Sequence, residues 1–154
     1  MTPTWQTDGS IQLYNADALD WLRQAEPGSV HGCVTSPPYW ALRSYLKPGD
    51  PLKALELGSE PTPEAHVAAM VAVFEAVKRV LRDDGLLFVN YGDSYSSHGA
   101  SSCGKNLAYC PEMSERPFRT APAGLQPLDR VGIPERFALA MQAAGWIWRD
   151  TIVW

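Results

Sequence analysis

The sequence predicts an α/β fold, a three-layer arrangement around a largely parallel sheet. Three observations carry it. Short apolar runs of strand length alternate with segments of helical period, in the order β-α-β-loop-α-β-loop-α-β. Gly and Pro stand where one element must stop and the next begin. The 154 residues, 45% of them hydrophobic with six tryptophans, suffice for one domain with its own core. Parallel neighbours need right-handed crossovers, and ligands of such sheets bind beyond the carboxyl ends of the strands.

The elements follow in chain order. "IQLYNADALDWLRQ" opens with a strand-like run, Ile11 to Tyr14, and then changes period, so that Ala18, Leu19 and Leu22 share a helical face behind Asn15 or Asp17 as N-cap. "EPGSV" is a turn, and "VHGCVT" gives a second strand, Val30 to Thr35, ended by two prolines. Residues 36–61 lack a sustained period and are expected to be a long loop. Thr62-Pro63 starts a helix, because Pro suits the first helical position, and Val67, Val71, Phe74, Val77 and Leu81 recur at helical spacing. Gly85 is expected to close it before a buried strand, Leu86 to Tyr91, that ends on Gly92-Asp93. From about 95 to 131 the chain is rich in Ser, Gly and Pro, a long loop expected to be extended or poorly ordered over the surface. "IPERFALAMQAAGW" is a helix with Pro134 in its first turn and Gly145 at its stop. A strand-like "WIWRDTIVW" follows, whose alternating Trp146, Trp148 and Trp154 read as core residues.

Composition narrows the function. A net charge of −4 argues against bulk electrostatic attachment to nucleic acid, although a local basic face remains compatible with it. "MTPTWQTDGS" has neither a basic start nor an apolar stretch, and no run is long enough to span a bilayer, so a cytoplasmic, membrane-free protein is expected. Three cysteines cannot pair completely. Cys103 and Cys110 with His98 have the wrong gap for a zinc knuckle and no fourth ligand, so no metal is expected. His31, His66 and His98 stand beside no activated Ser or Cys, and there is no Gly-Lys-Ser phosphate loop, which removes triad hydrolases and nucleotide-phosphate chemistry.

The segment "GCVTSPPYWALRSY" holds the candidate chemistry. Two adjacent prolines fix two φ angles and remove two donors, so the turn after Thr35 is stiff and acceptor-rich. Ser36 adds a hydroxyl, and Tyr39 and Trp40 add aromatic faces. Asp17, Ser36 to Tyr39 and Asp93 each follow a predicted strand and are expected to share one sheet edge. Such a pocket suits a planar ligand that is stacked and hydrogen-bonded through its amino group, as a nucleobase is.

"TSPPYW", preceded by "LYNADALDWL" and followed by "LRDDGLLFVNYGDSY" and "VGIPERFALAMQAAGWIWRDTIVW", resembles the amino-methylating DNA methyltransferases, in the circularly ordered group whose catalytic half comes first. The resemblance runs nearly the whole chain and implies a Rossmann-like methyltransferase sheet. It also implies S-adenosyl-L-methionine as cofactor, double-stranded DNA as partner, and a target base flipped out of the duplex. By the same resemblance Ser36, Pro37, Pro38 and Tyr39 are catalytic. Ser36 Oγ and the Pro37 carbonyl accept the two amino hydrogens, Tyr39 stacks on the base, and the freed nitrogen lone pair attacks the cofactor methyl in line. Asp17, Thr35 and Ser36 are the implied cofactor contacts, with Ala16 where the family usually has Gly, and Asp93 is a candidate at the active-site edge. The Ser-Pro-Pro-Tyr form is mostly associated with cytosine N4 and Asp or Asn in first place with adenine N6, so adenine stays an alternative, as does a non-catalytic nucleic-acid-binding subunit. Carbon-5 methylation would need a cysteine after a proline, whereas Cys110 precedes Pro111. The family's target-recognition region and its Gly-rich Phe-x-Gly-x-Gly loop are absent, since Gly49, Gly58, Gly92 and Gly99 stand singly. The expectation is therefore an incomplete fold, the catalytic N-terminal part of an enzyme, completed by a downstream segment or a second chain.

Overall fold

The computed structural model describes residues 2–96 and 122–153. The element order is β1 (Trp5–Gln6), β2 (Gln12–Leu13), α1 (Ala18–Gln24), β3 (Val30–Thr35), α2 (Pro63–Val80), β4 (Leu81–Val89) and α3 (Ile133–Ala143). The chain divides into two compact units, residues 1–35 with 72–88 and residues 36–71 with 89–154.

In the first unit β3 and β4 are hydrogen-bonded neighbours in a parallel sheet, joined through α2 as a β-α-β crossover. This is the α/β class expected, as an incomplete, open Rossmann-like sheet. Asp17 is the N-cap of α1: its carboxylate accepts from the amides of Leu19 at 2.9 Å and Asp20 at 3.1 Å. The other end of α1 is closed by Arg79, whose guanidinium donates to the carbonyls of Leu22 and Ala25. Leu22, Phe74, Val77, Val80 and Leu81 are the buried apolar side chains of this unit.

Three sequence expectations are corrected. The run Ile11 to Tyr14 forms only the short β2, paired antiparallel with β1 (Trp5 opposite Leu13) rather than with the parallel sheet. A neighbouring segment reached through the Asp8-Gly9-Ser10 turn, with Gly9 at φ 106°, costs little loop entropy to close. The strand expected at Leu86–Tyr91 is β4 at Leu81–Val89, directly after α2. Gly85 does not stop the helix, but a Cβ there would lie 2.9 Å from the Arg82 carbonyl oxygen, so the local path still requires glycine. The strand-like residues 146–153 form no strand. A strand exists by pairing, and among the described residues the parallel sheet has only two members, which leaves Ile147 and Val153 81% and 91% exposed. Leu86 and Phe88, two apart on β4 and so on one face of it, are exposed as well.

The second unit packs around Trp40, Val131 and Ile133, with Tyr91 and Leu125 against them. Thr62 Oγ1 accepts from the Ala65 amide at 3.1 Å and starts α2 where the Thr-Pro pair predicts it. The α3 span matches expectation, with Pro134 in its first turn and Gly145 at φ 81° beyond its end. The expectation of an extended, poorly ordered segment falls mostly on residues 97–121, outside the described ones. Its two flanks pair with each other: Ser96 N donates to Asp129 O at 2.7 Å and Val131 N to Ser94 O at 2.9 Å.

Candidate functional site

The turn after β3 is fixed from several directions. Trp40 is 4% exposed and its Nε1 donates to the Glu60 carbonyl at 3.0 Å. Ala41 N donates to Gly58 O at 2.8 Å, with Ala41 at φ 55°, a left-handed conformation that costs an L-residue about 1 kcal/mol. Gly58, at φ 93°, is packed so closely that a Cβ would lie 3.1 Å from the Tyr39 carbonyl oxygen. Gly92 leaves still less room, because a Cβ there would lie 2.5 Å from Tyr39 Cε2. Tyr39 is therefore held at its backbone by one glycine and at its ring by another.

Ser36, Pro37, Pro38, Tyr39, Leu42, Arg43 and Tyr45 line an open cleft of about 360 Å3. Ser36 is exposed and its Oγ lies 3.3 Å from the Tyr39 hydroxyl as donor. Donating that hydrogen leaves both Ser36 lone pairs free to accept. The half-buried Tyr39 ring supplies a π face, Tyr45 a second aromatic wall, and Arg43 a cation. The arrangement can stack a planar group and accept hydrogens from it.

The far wall of the cleft is organised by Glu56, a residue the sequence reading passed over inside an aperiodic loop. Its side chain is 5% exposed and accepts from Tyr45 N at 2.5 Å, Leu46 N at 3.0 Å and Lys53 Nζ at 2.5 Å. Burial disfavours the Glu56 charge, but the Lys53 hydrogen bond, the two amides and the Lys53 charge together outweigh it and hold the carboxyl at about 2 against an ordinary 4.5. Because the folded value is the lower one, this stabilisation is complete above about pH 4.5 and is lost as pH falls toward 2. Glu56→Ala is expected to cost about 2–3 kcal/mol, the scale of hydrogen bonds to a charged group, and to flatten the acid limb of the stability profile. Thermal melts of both proteins between pH 2 and 7 check it, and parallel acid limbs would refute it.

Behind Tyr39 lies a buried polar chain. His66 is 0% exposed, its Nδ1 2.7 Å from Glu60 Oε2 and its Nε2 hydrogen-bonded to the Tyr91 hydroxyl. The Tyr91 ring lies 5.8 Å from Tyr39 and 5.2 Å edge-on from Phe137. Burial, and then the Glu60 charge, raise the Tyr91 hydroxyl well above its ordinary value, so it stays protonated. A signal was present in the sequence: His66 falls at helical spacing with Met70, Phe74 and Val77, a polar residue within an apolar stripe.

The remaining expected site residues have structural settings. Asp93 Oδ1 accepts from Ser94 N at 2.9 Å and Ile133 N at 3.0 Å, and Oδ2 from Arg130 Nε at 3.0 Å and Gly132 N at 3.1 Å. It is outside the cleft lining and anchors the start of α3. Asp17 and Thr35 belong to the first unit, as the α1 N-cap and the last residue of β3. Cys33 carries a free thiol, pushed up by burial, while His98, Cys103 and Cys110 lie outside the described residues. No helix among the described residues is long and apolar enough to cross a membrane.

The family model for DNA methylases, N6_N4_Mtase, matches residues 30–154. The chain belongs to the DNA methylase family. Among curated relatives of this methylase, the type II methyltransferase M.XycI of Xanthomonas campestris pv. cyanopsidis is 41% identical over 150 residues, covering 92% of this chain and 45% of its own length. M.Cfr9I of Citrobacter freundii is 40% identical over 148 residues, with 92% and 45% covered. M.SmaI of Serratia marcescens is 41% identical over 148 residues, with 94% and 47% covered. The methylase chain thus spans about half the length of these relatives. No solved structure matches it.

Proposed function

We propose that this chain supplies the catalytic part of an S-adenosyl-L-methionine-dependent DNA methyltransferase that methylates the exocyclic amino group of a flipped base, with cytosine N4 as target. The cleft carries the reading: in a chain of the DNA methylase family, Ser36, Pro37, Pro38 and Tyr39 line one open space with Tyr45 and Arg43. A base amino nitrogen is a poor nucleophile because its lone pair is delocalised into the ring. Ser36 Oγ and the Pro37 carbonyl accept its two hydrogens and favour a pyramidal nitrogen with an available lone pair. Tyr39 stacks on the flipped base, and Arg43 neutralises an adjacent phosphate. Positioning is most of what such a site supplies, and no covalent enzyme intermediate is needed.

S-adenosyl-L-methionine, when bound, supplies an activated methyl group on a sulfonium. The described residues fit it in part. Asp17 is exposed, and its bonds to the α1 amides use Oδ1 alone. Thr35 and Ser36 offer hydroxyls, and no Gly-rich loop accompanies them. A downstream segment or a second chain completes that site, and double-stranded DNA is the substrate. The setting proposed is the cytoplasm of a bacterial or phage-infected cell, in a restriction-modification role like that of type II methyltransferases.

Labelled methyl transfer to duplex DNA, with and without the half corresponding to the uncovered part of the relatives, tests the reading. Transfer is expected only with that half, and Ser36→Ala should lower it about 100-fold or more, the scale of lost near-attack positioning. N4-methylcytosine in the digested product is the expected modified base, and N6-methyladenine would reassign the target. Unchanged transfer after Ser36→Ala would overturn the assigned role of the turn.

A further inference from the structure

We infer that Glu60, His66 and Tyr91 form a buried relay that sets the angle of the Tyr39 ring, as positioning residues for the base-stacking role proposed above, on which this inference rests. Three polar groups from a loop, a helix and a strand exit converge where His66 is fully buried. Apolar side chains would fill such a space without the desolvation that buried polar groups suffer. For a neutral imidazole the hydrogen bonds have one direction. The Glu60 carboxylate can only accept, so His66 Nδ1 carries the hydrogen and Nε2 accepts from the Tyr91 hydroxyl.

Glu60 holds three residues around Tyr39. Its carboxylate holds Tyr91 through His66 and also accepts from Gly58 N at 2.9 Å, and its carbonyl accepts from Trp40, the residue next to Tyr39. Tyr91 then presents its ring to Tyr39 at 5.8 Å and a 41° tilt, while the adjoining Gly92 main chain closes the edge of the same ring. A swing of the Tyr91 side chain would break its bond to His66, and the edge-on rings of His66 at 6.0 Å and Phe137 at 5.2 Å hold the tilt of its ring, so both are fixed from behind the cleft. The relay needs no proton transfer. Its work is to remove rotational freedom from the stacking surface before a base arrives.

Three readouts on the full chain test it. Long-range proton–nitrogen NMR should find His66 as the Nδ1–H tautomer, and an Nε2–H tautomer overturns the relay. A single-stranded oligonucleotide with one fluorescent cytosine analogue should bind Tyr91→Phe about tenfold more weakly than wild type, the scale of a misaligned base–aromatic stack. The triple variant Glu60→Gln, His66→Leu and Tyr91→Phe removes the polar chain without orphaning the imidazole or a carboxylate charge, and the introduced amide oxygen can still accept from Gly58 N. It is expected to keep a wild-type melt or better and to show the same loss of binding, which a purely structural role would not produce. Base binding that survives these substitutions overturns the inference alone, whereas an oligonucleotide that fails to bind the wild-type chain even in the presence of the half corresponding to the uncovered part of the relatives overturns the base-stacking reading and the inference with it.

Discussion

Replacing Gly92 with alanine is expected to empty the stacking position while the fold survives. The added Cβ would lie 2.5 Å from Tyr39 Cε2 and 2.8 Å from Cδ2, far inside contact distance, so the ring must leave. Gly92 is not among the positive-φ glycines, and the substitution therefore introduces no backbone strain of its own. The cost to stability is that of mild overpacking, about 1–3 kcal/mol. The cost to function is larger, since a displaced aromatic forfeits base stacking, and about 10- to 100-fold weaker binding of a base analogue is expected. Fluorescence titration beside a thermal melt separates the two effects. Wild-type affinity in the alanine variant would mean that Tyr39 is not the stacking surface.

Asp93→Ala is expected to produce the largest loss of stability of any single carboxylate change in the second unit. Gly132, the N-cap of α3, offers no side-chain acceptor, and Asp93 takes its place from another segment by accepting from both Gly132 N and Ile133 N. Its side chain is 13% exposed, so water only partly replaces the lost acceptors. Arg130 loses one of its two carboxylate partners at the same time and keeps Glu135 at 2.9 Å; the Asp93 hydrogen bond, with the Glu135 charge, now holds that guanidinium above its ordinary value. About 3–4 kcal/mol is expected, or roughly 6–15 °C in melting temperature for a chain of this size. Asp93→Asn keeps one oxygen as acceptor and should lose about half as much. An undiminished melt with lost methyl transfer would instead make Asp93 a residue of the active-site edge.

What the sequence by itself determined was local. The β3 span from Val30 to Thr35, the start of α2 behind Thr62, the α3 span and an α1 cap at Asn15 or Asp17 all follow from patterns within a few residues, and the structure has each of them, with Asp17 as the cap. The stiffness of the Ser36–Tyr39 turn is likewise local, because proline fixes its own φ whatever surrounds it. Tertiary structure decided everything that needs a partner. The strand-like residues 146–153 have a strand's alternation but no neighbour to pair with among the described residues, and Ile11 to Tyr14 found its partner in the adjacent hairpin. His66 meets Tyr91 from 25 positions away and Asp93 meets Ile133 from 40. Periodicity reports which face of an element is apolar, and it carries no information about which distant donor a buried carboxylate or imidazole will meet. That choice is made by packing, where an unpaired buried polar group costs too much to persist.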